Sequence, residues 1–429
     1  MDASVSSKLS DKSTFETDVR GIVTPRYVRA ALPSDSVAGV QPSFVVEPGS
    51  EQELAKVLKL AYGARLAVIP RGGGTKLEWG NRPARADVIL STARLNRVIE
   101  HPWADLTVSV EAGCTLAKLQ ETVAKHRQRL ALDTLWAERA TVGGVLSTND
   151  GGALRLRFGS LRDLVIGVTV ALADGTLANS GGKVVKNVAG YDLPKLLTGA
   201  LGTLGVLTRA IFRLHPLPKV TRTISCPTAN AGDAQKLVLD LQNSKLAHSA
   251  LQICWGAGTQ PRVDVLFEGT EAGLAAQVQH AKAILGAATI GDGDRDVWDT
   301  RQEICSSGKG GGEFAVAKFA TLPAELAELL EMIAGLCSGE LRWSVAVQAT
   351  GIGWVRLKGA ATGIDSVLRQ LRADLEGRGG SLVLAHRGAS MKEFDAWGNA
   401  GDALPLTRAV KAQFDPLGTL NPGRFVGGI

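Results

Sequence analysis

A short apolar run, Leu66 to Ile69, ends abruptly in Pro70-Arg71-Gly72-Gly73-Gly74-Thr75. Three consecutive glycines behind a strand put no side chain in the way of a close approach, and their amides can turn inward as an anion-binding nest. A flexible surface turn is the other reading of the same residues. The loop is not a phosphate-binding loop of the G-x-x-x-x-G-K-[ST] kind, which occurs nowhere in the chain; Ser307-Gly308-Lys309-Gly310 fails that pattern. The dinucleotide fingerprint is excluded as well, since Gly199, Gly202 and Gly205 are spaced G-x-x-G-x-x-G and precede a strand. Glycine is nevertheless in excess, 50 of 429 residues, without a collagen-like period. That excess suits a ligand lying along several loops.

The chain is long enough for two or three packed subdomains. Residues 1–40 read as a polar, irregular lead-in. From 41 to 218 short strands and helices alternate. Phe44–Val46 is strand-like, Ser50-Glu51-Gln52-Glu53 opens a helix as a capping box, and Leu54, Val57, Leu58 and Ala61 form its apolar face. A second helix is expected from Thr115 to about His126, and Asp174-Gly175 marks a hairpin. The stretch 140–159 is dominated by small residues. Pro216 and Pro218 close this region. From 219 to 429 strands and helices return as hairpins, which predicts an α+β layer, one sheet with helices on one face. No internal repeat is evident in it.

Composition narrows the function classes. A net charge of +6 is spread thinly, with no basic run interleaved with aromatics, so nucleic acid is a poor partner. Cys114, Cys226, Cys254, Cys305 and Cys337 are scattered and form no C-x-x-C pair or metal spacing, as expected for reduced thiols of a cytoplasmic protein. The polar N-terminus lacks a signal-peptide core, and no apolar run approaches the roughly 20 residues of a spanning helix. Membrane contact is expected only indirectly, through a partner.

Four motifs stand in order: Pro70–Thr75; Ala140-Thr141-Val142-Gly143-Gly144 with Thr148; Leu172-Ala173-Asp174-Gly175; and Gly202-Thr203-Leu204-Gly205-Val206. With the tail Phe414-Asp415-Pro416 … Asn421-Pro422-Gly423-Arg424, they resemble the FAD-binding domain of the vanillyl-alcohol oxidase/p-cresol methylhydroxylase (PCMH-type) superfamily. More narrowly, the segment Gly182–Leu193 and the N-P-G-R ending are similar to the smaller FAD-binding subunit (E subunit) of bacterial glycolate oxidase. The resemblance implies an α+β fold: a two-subdomain PCMH-type FAD-binding domain over 41–218, then an α+β, ferredoxin-like cap domain over 219–429.

It also implies site residues. Arg71, Gly72, Gly73, Gly74 and Thr75 would wrap the FAD pyrophosphate by backbone, and Thr141, Gly143, Gly144 and Thr148 would line the other side. Gly205 and Val206 would hold the adenine end, while Asn421 and Arg424 would approach the isoalloxazine. Thr75 stands where covalent relatives carry a flavin-linking histidine, so the FAD is expected to be non-covalent.

Departures from the family pattern shape the functional expectation. Relatives that oxidise 2-hydroxy acids commonly hold the substrate carboxylate with an Arg and a Thr; here those places are Val185 and Ala189. No metal-binding histidine cluster occurs, His386 reads as a strand-end residue, and Lys183 and Lys186 read as solvated loop lysines. The catalytic residue is unassigned. The leading expectation is an FAD-dependent oxidoreductase that serves as one subunit of a multi-subunit glycolate oxidase. A second flavin subunit would bear the hydroxyacid site, and an iron–sulfur subunit would carry electrons onward, because no cluster-type cysteine spacing exists here. A free-standing FAD dehydrogenase and a scaffold with a structural flavin are the alternatives.

Overall fold

The computed structural model describes residues 14–182, 191–286, 289–291, 295–306, 312–337, 339, 341–391 and 393–429. Lys183, Val185, Lys186 and Ala189, together with Ser307–Gly310, lie outside the described residues. Among the described residues no helix is long and apolar enough to cross a membrane.

The first sheet has four strands: β1 (Val28–Ala30), β2 (Phe44–Val46), β3 (Val68–Arg71) and β4 (Val88–Ser91), in the order β1-β2-β4-β3. Strand β2 and strand β3 both run parallel to β4, which requires a crossover between β2 and β3. Helix α1 (Glu51–Gly63) supplies it. Ser50 caps α1, its Oγ accepting the Glu53 amide at 3.1 Å, while the Glu53 carboxylate accepts from the Gly49 amide at 2.7 Å. The box expected from sequence thus closes one residue further upstream. Leu54, Val57, Leu58 and Ala61 face the sheet and pack with Val46, Val68, Val88 and Leu90. Truncating one such leucine to alanine costs about 2–5 kcal/mol. The expected irregular lead-in contributes the edge strand β1 and the buried Phe15, Val19 and Val23.

The second sheet holds β5 (Val98–Glu100), β6 (Thr107–Glu111), β8 (Val165–Ala171), β9 (Leu177–Gly181) and β10 (Val206–Arg213), in the order β5-β6-β10-β8-β9. Helices α2 (Leu116–Ala124) and α3 (Val142–Thr148) belong to its core. Strand β7 (Gln128–Arg129) and strand β11 (His215–Pro216) make a small ribbon beside it.

The third sheet is antiparallel and has eight strands: β12 (Val220–Pro227), β13 (His248–Gly256), β14 (Arg262–Gly269), β15 (Thr289–Gly291), β16 (Glu313–Ala320), β17 (Arg342–Gln348), β18 (Ile352–Gly359) and β19 (Ser381–His386). Their order is β15-β12-β14-β13-β17-β18-β16-β19. The connecting helices are α4 (Ala231–Asn243), α5 (Glu271–Leu285), α7 (Leu326–Leu336) and α8 (Ala361–Gly377), with a short α6 (Thr300–Cys305) between the halves. Each half therefore reads β-α-β-β-α-β, and the halves meet edge to edge through the β13–β17 pairing. The layer is a duplicated ferredoxin-like unit, a repeat that the sequence reading missed.

The four long helices cover one face of this sheet with a continuous apolar core. Strand alternation leaves the opposite face to Cys254, Val316, Ala346, Trp354 and Ala385, which meet Trp79 of the N-terminal half. Helix α9 (Leu404–Phe414) leads into the C-terminal tail.

Candidate functional site

Strand β3 delivers its C-terminal end, Pro70-Arg71, directly into the triple-glycine loop. A Cβ on Gly72 would fall 2.0 Å from Thr141 Oγ1, and one on Gly73 would fall 1.7 Å from the Arg139 carbonyl oxygen. The two glycine-bearing segments are therefore in backbone contact. Gly74 alone of the three has left-handed backbone, φ +71°. The Arg71 guanidinium pairs with the buried Asp35 at 2.7 Å.

The stretch of small residues opens as helix α3. Thr141 is its N-cap, its Oγ1 3.4 Å from the Gly144 amide. Gly143 packs against Ala112, where a Cβ would sit 3.0 Å from its methyl. Thr148 returns its hydroxyl to the Gly144 carbonyl at 2.8 Å. Gly205 sits under Val170, which a Cβ would reach at 2.5 Å.

The tail arrives by a specific mechanism. Asp415, fully buried, accepts from the Thr419 and Leu420 amides at 3.0 and 2.7 Å and pairs with Lys411 at 2.6 Å. Lys411 also donates to the Thr203 carbonyl at 2.7 Å, tying the tail to the Gly202–Gly205 segment. The tail then runs beside β3: the Val68 amide donates to Thr419 and the Asn421 amide donates to Val68. Asn421 and Arg424 are thereby set beside the glycine loop. Asn421 Nδ2 donates to the Leu201 carbonyl. Arg424 donates to the Leu77 and Trp79 carbonyls at 2.6 and 2.7 Å, and its Nε has no partner. Burial, opposed only in part by Glu78, pushes this guanidinium down to about 10.

All the residues expected to touch the cofactor line one cleft, which encloses about 700 Å³ of empty space with its mouth included. Lys76, Leu77, Thr92, Ser147, Leu201, Gly202 and Leu207 complete its wall. Lys76 follows the glycine loop directly and was detectable on that ground; Leu201, with φ +50°, carried no sequence signal.

Beneath the cleft lies a buried charge cluster. Asp150 is fully buried, 3.1 Å from Lys76 Nζ and 2.7 Å from Arg301 Nη1. The Lys76 contact lacks hydrogen-bond alignment, so it is mainly coulombic. Burial opposes the Asp150 charge, but the two cations and the Leu135 amide outweigh it and hold the carboxyl at about 2. Arg301 belongs to α6 and also donates to the Asp133 carbonyl at 2.7 Å. One carboxylate thus joins the first glycine loop, the end of α3 and the C-terminal half.

His386 ends β19 and does not line this cleft. It stacks on Phe314 at 4.2 Å between centroids and lines a neighbouring cavity with Thr75, Glu78, Trp136, Arg139 and Cys305. Burial lowers its basicity.

Residues 42–181 match the family described as FAD binding domain. This region is similar to an FAD-binding domain. The glycolate oxidase subunit GlcD of Bacillus subtilis (strain 168) is 32% identical over 244 residues, 57% of this chain and 50% of its own length. A D-lactate dehydrogenase of Archaeoglobus fulgidus is 36% identical over 203 residues, 47% of this chain and 45% of its own length. The chain thus spans about half the length of these two relatives. The crystal structure of p-cresol methylhydroxylase with substrate bound superimposes with a TM-score of 0.75 at 16% identity, over 97% of this chain and 96% of that one. The α+β fold and FAD as cofactor, both expected from the sequence, are borne out.

Proposed function

We propose that this chain holds one FAD non-covalently in the glycine-lined cleft and takes part in flavin-mediated electron transfer as the FAD-binding subunit of a multi-subunit glycolate (2-hydroxyacid) oxidase. The observation that carries the reading is the convergence of three glycine segments and the C-terminal tail on a single cleft. The residues suit the group. Arg71–Thr75 and Thr141–Gly144 would hold the pyrophosphate through backbone, and Gly205 and Val206 the adenine end. The unpartnered Nε of Arg424 is a buried donor at the cleft wall, suited to an acceptor edge of the flavin ring with Asn421 beside it. Thr75 lacks the imidazole that a histidyl flavin linkage uses. When bound, FAD supplies a two-electron acceptor; the chain's part is to hold it, orient it and exclude water.

The relationship to a glycolate oxidase subunit supports partner subunits: a second flavin subunit with the hydroxyacid site, and an iron–sulfur subunit. A cytoplasmic location, with membrane contact only through partners, accompanies this reading. The test is to purify the chain from its native host and record its visible spectrum and its co-purifying subunits. A yellow protein with flavin and iron–sulfur partners is expected. A colourless preparation would refute the cleft assignment, and a yellow chain isolated alone would refute the assembly.

A further inference from the structure

A second cavity adjoins the flavin cleft, shares Thr148 and Leu201 with it, and lies between the FAD-binding half and the open face of the eight-stranded sheet. Its apolar wall includes Trp79, Phe319, Ile352, Trp354, Trp397 and Phe425, and about 1030 Å³ of space lies within it, mouth included. Its charged groups are all cations: Arg155, Arg162 and Lys318, with no Asp or Glu among the described residues that line it.

Lys318 is central. On β16 it sits between Trp354 of β18 and Val383 of β19, on the face that the helices leave open. Among the described residues its side chain makes no hydrogen bond or ion pair; its Nζ lies 5.7 Å from the centre of the Trp354 ring. The Arg155 side chain likewise has no hydrogen bond or ion pair among the described residues. Arg162 gives one hydrogen bond, 3.1 Å to the Thr198 carbonyl. Two partly buried cations facing an aromatic cavity, reached by Asp163 and Asp150 only through space and with no direct ion pair among the described residues, are costly to the free protein.

We propose that this cavity is a binding site for an organic carboxylate with an apolar tail, the carboxylate held by Lys318 and Arg155 and the tail by the aromatic wall. A small hydroxyacid such as glycolate would leave most of the cavity unfilled. The binding claim rests on the cavity alone; its use by a flavin rests on the function proposed above. The site supplies the carboxylate handle that Val185 and Ala189 do not. Burial pushes Lys318 down to about 8; Asp150 and Cys305 oppose that shift, while Arg301 and Arg155 add to it. The ammonium is therefore charged at neutral pH, and its basicity responds to a bound anion.

Calorimetric titration of the purified protein as isolated, with hexanoate, hexanamide and glycolate, tests the site. Hexanoate is expected to bind at least about tenfold tighter than either of the others, since hexanamide lacks the charge and glycolate the tail. Lys318→Met and Arg155→Met should each weaken hexanoate about tenfold or more, and Lys318→Arg should retain it. Equal affinity for acid and amide in the unmodified protein overturns the proposal without any variant. So does full affinity in Lys318→Met. Flavin content, read from the visible spectrum, is an independent measurement. A colourless protein that binds hexanoate keeps this site and refutes the flavin placement; a yellow one that ignores hexanoate does the reverse.

Discussion

Asp150→Asn tests how the cleft is held together. The substitution keeps size and can keep the 3.0 Å hydrogen bond from the Leu135 amide, but it removes the charge that faces both Lys76 and Arg301. Breaking a buried ion pair by removing one partner costs about 3–5 kcal/mol, because the other charge stays buried and uncompensated. Here two cations lose one carboxylate, which places the expected loss at the upper end of that range. At about 2.1 cal/mol/K of unfolding entropy per residue, a chain this long should lose roughly 4–6 °C in Tm. The assay is differential scanning fluorimetry, followed by urea unfolding where the transition is reversible.

Two controls separate charge from shape. Adding Lys76→Met to Asp150→Asn should recover part of the loss, since one stranded cation is gone. The acid side gives the sign. A carboxyl held near 2 in the folded chain and near 4 in the unfolded one contributes stability above about pH 4, and that contribution is lost as pH falls towards 2. The gap between parent and variant should therefore narrow below pH 4. A variant whose Tm stays within about 1 °C of the parent, or a double variant worse than the sum of the singles, would refute the charge account.

Gly73→Val should abolish stoichiometric FAD binding, because its Cβ would fall 1.7 Å from the Arg139 carbonyl oxygen and force the two glycine segments apart. Gly74→Ala, with only van der Waals neighbours at 3.9 Å but φ +71°, should cost only about 1 kcal/mol and keep the flavin; flavin content per chain distinguishes the two. Acid precipitation of the holoprotein should leave all yellow colour in the supernatant, and colour in the pellet would reveal a covalent link. Hexanoate affinity should fall as pH rises through about 8, where Lys318 loses its proton. In Lys318→Arg it should stay level to about pH 9.5, because a guanidinium stays charged there; calorimetry at four pH values reads the difference.

Much of the cleft was legible in the sequence because its requirements are local. A loop whose backbone touches another backbone needs glycine, so Gly72, Gly73, Gly143 and Gly205 announce themselves. The side chains that complete the site were less legible. Asp150 and Arg301 are 151 residues apart and look like any surface pair until the fold buries them. Lys318 reads as the exposed residue of an alternating strand, and only the sheet's position against the FAD-binding half makes its face an interior one. The role expected of Gly73 also changes. Its backbone is not left-handed, so the constraint there is contact with Arg139 and the strain belongs to Gly74.

The hidden repeat has a related cause. Strand β12 is bounded by prolines, and its Thr221-Arg222-Thr223 stretch interrupts the apolar pattern, so the first β-α step of the first unit left no clear signal. Without it the first unit lacks its opening strand and the match to β16-α7-β17-β18-α8-β19 disappears. A core asks mainly for apolar volume, so two units can diverge in sequence while strand order persists. Joining them through β13 and β17 makes one sheet wide enough for four helices on one face, with the other face left free to meet the FAD-binding half. Trp354, Ala385 and Lys318 lie on that free face. Strand alternation therefore decides the chemistry: a one-residue slip of β16 against β18 would turn Lys318 towards the helices and away from the cavity. The register Lys318↔Trp354 is what puts a cation beside the glycine-lined cleft.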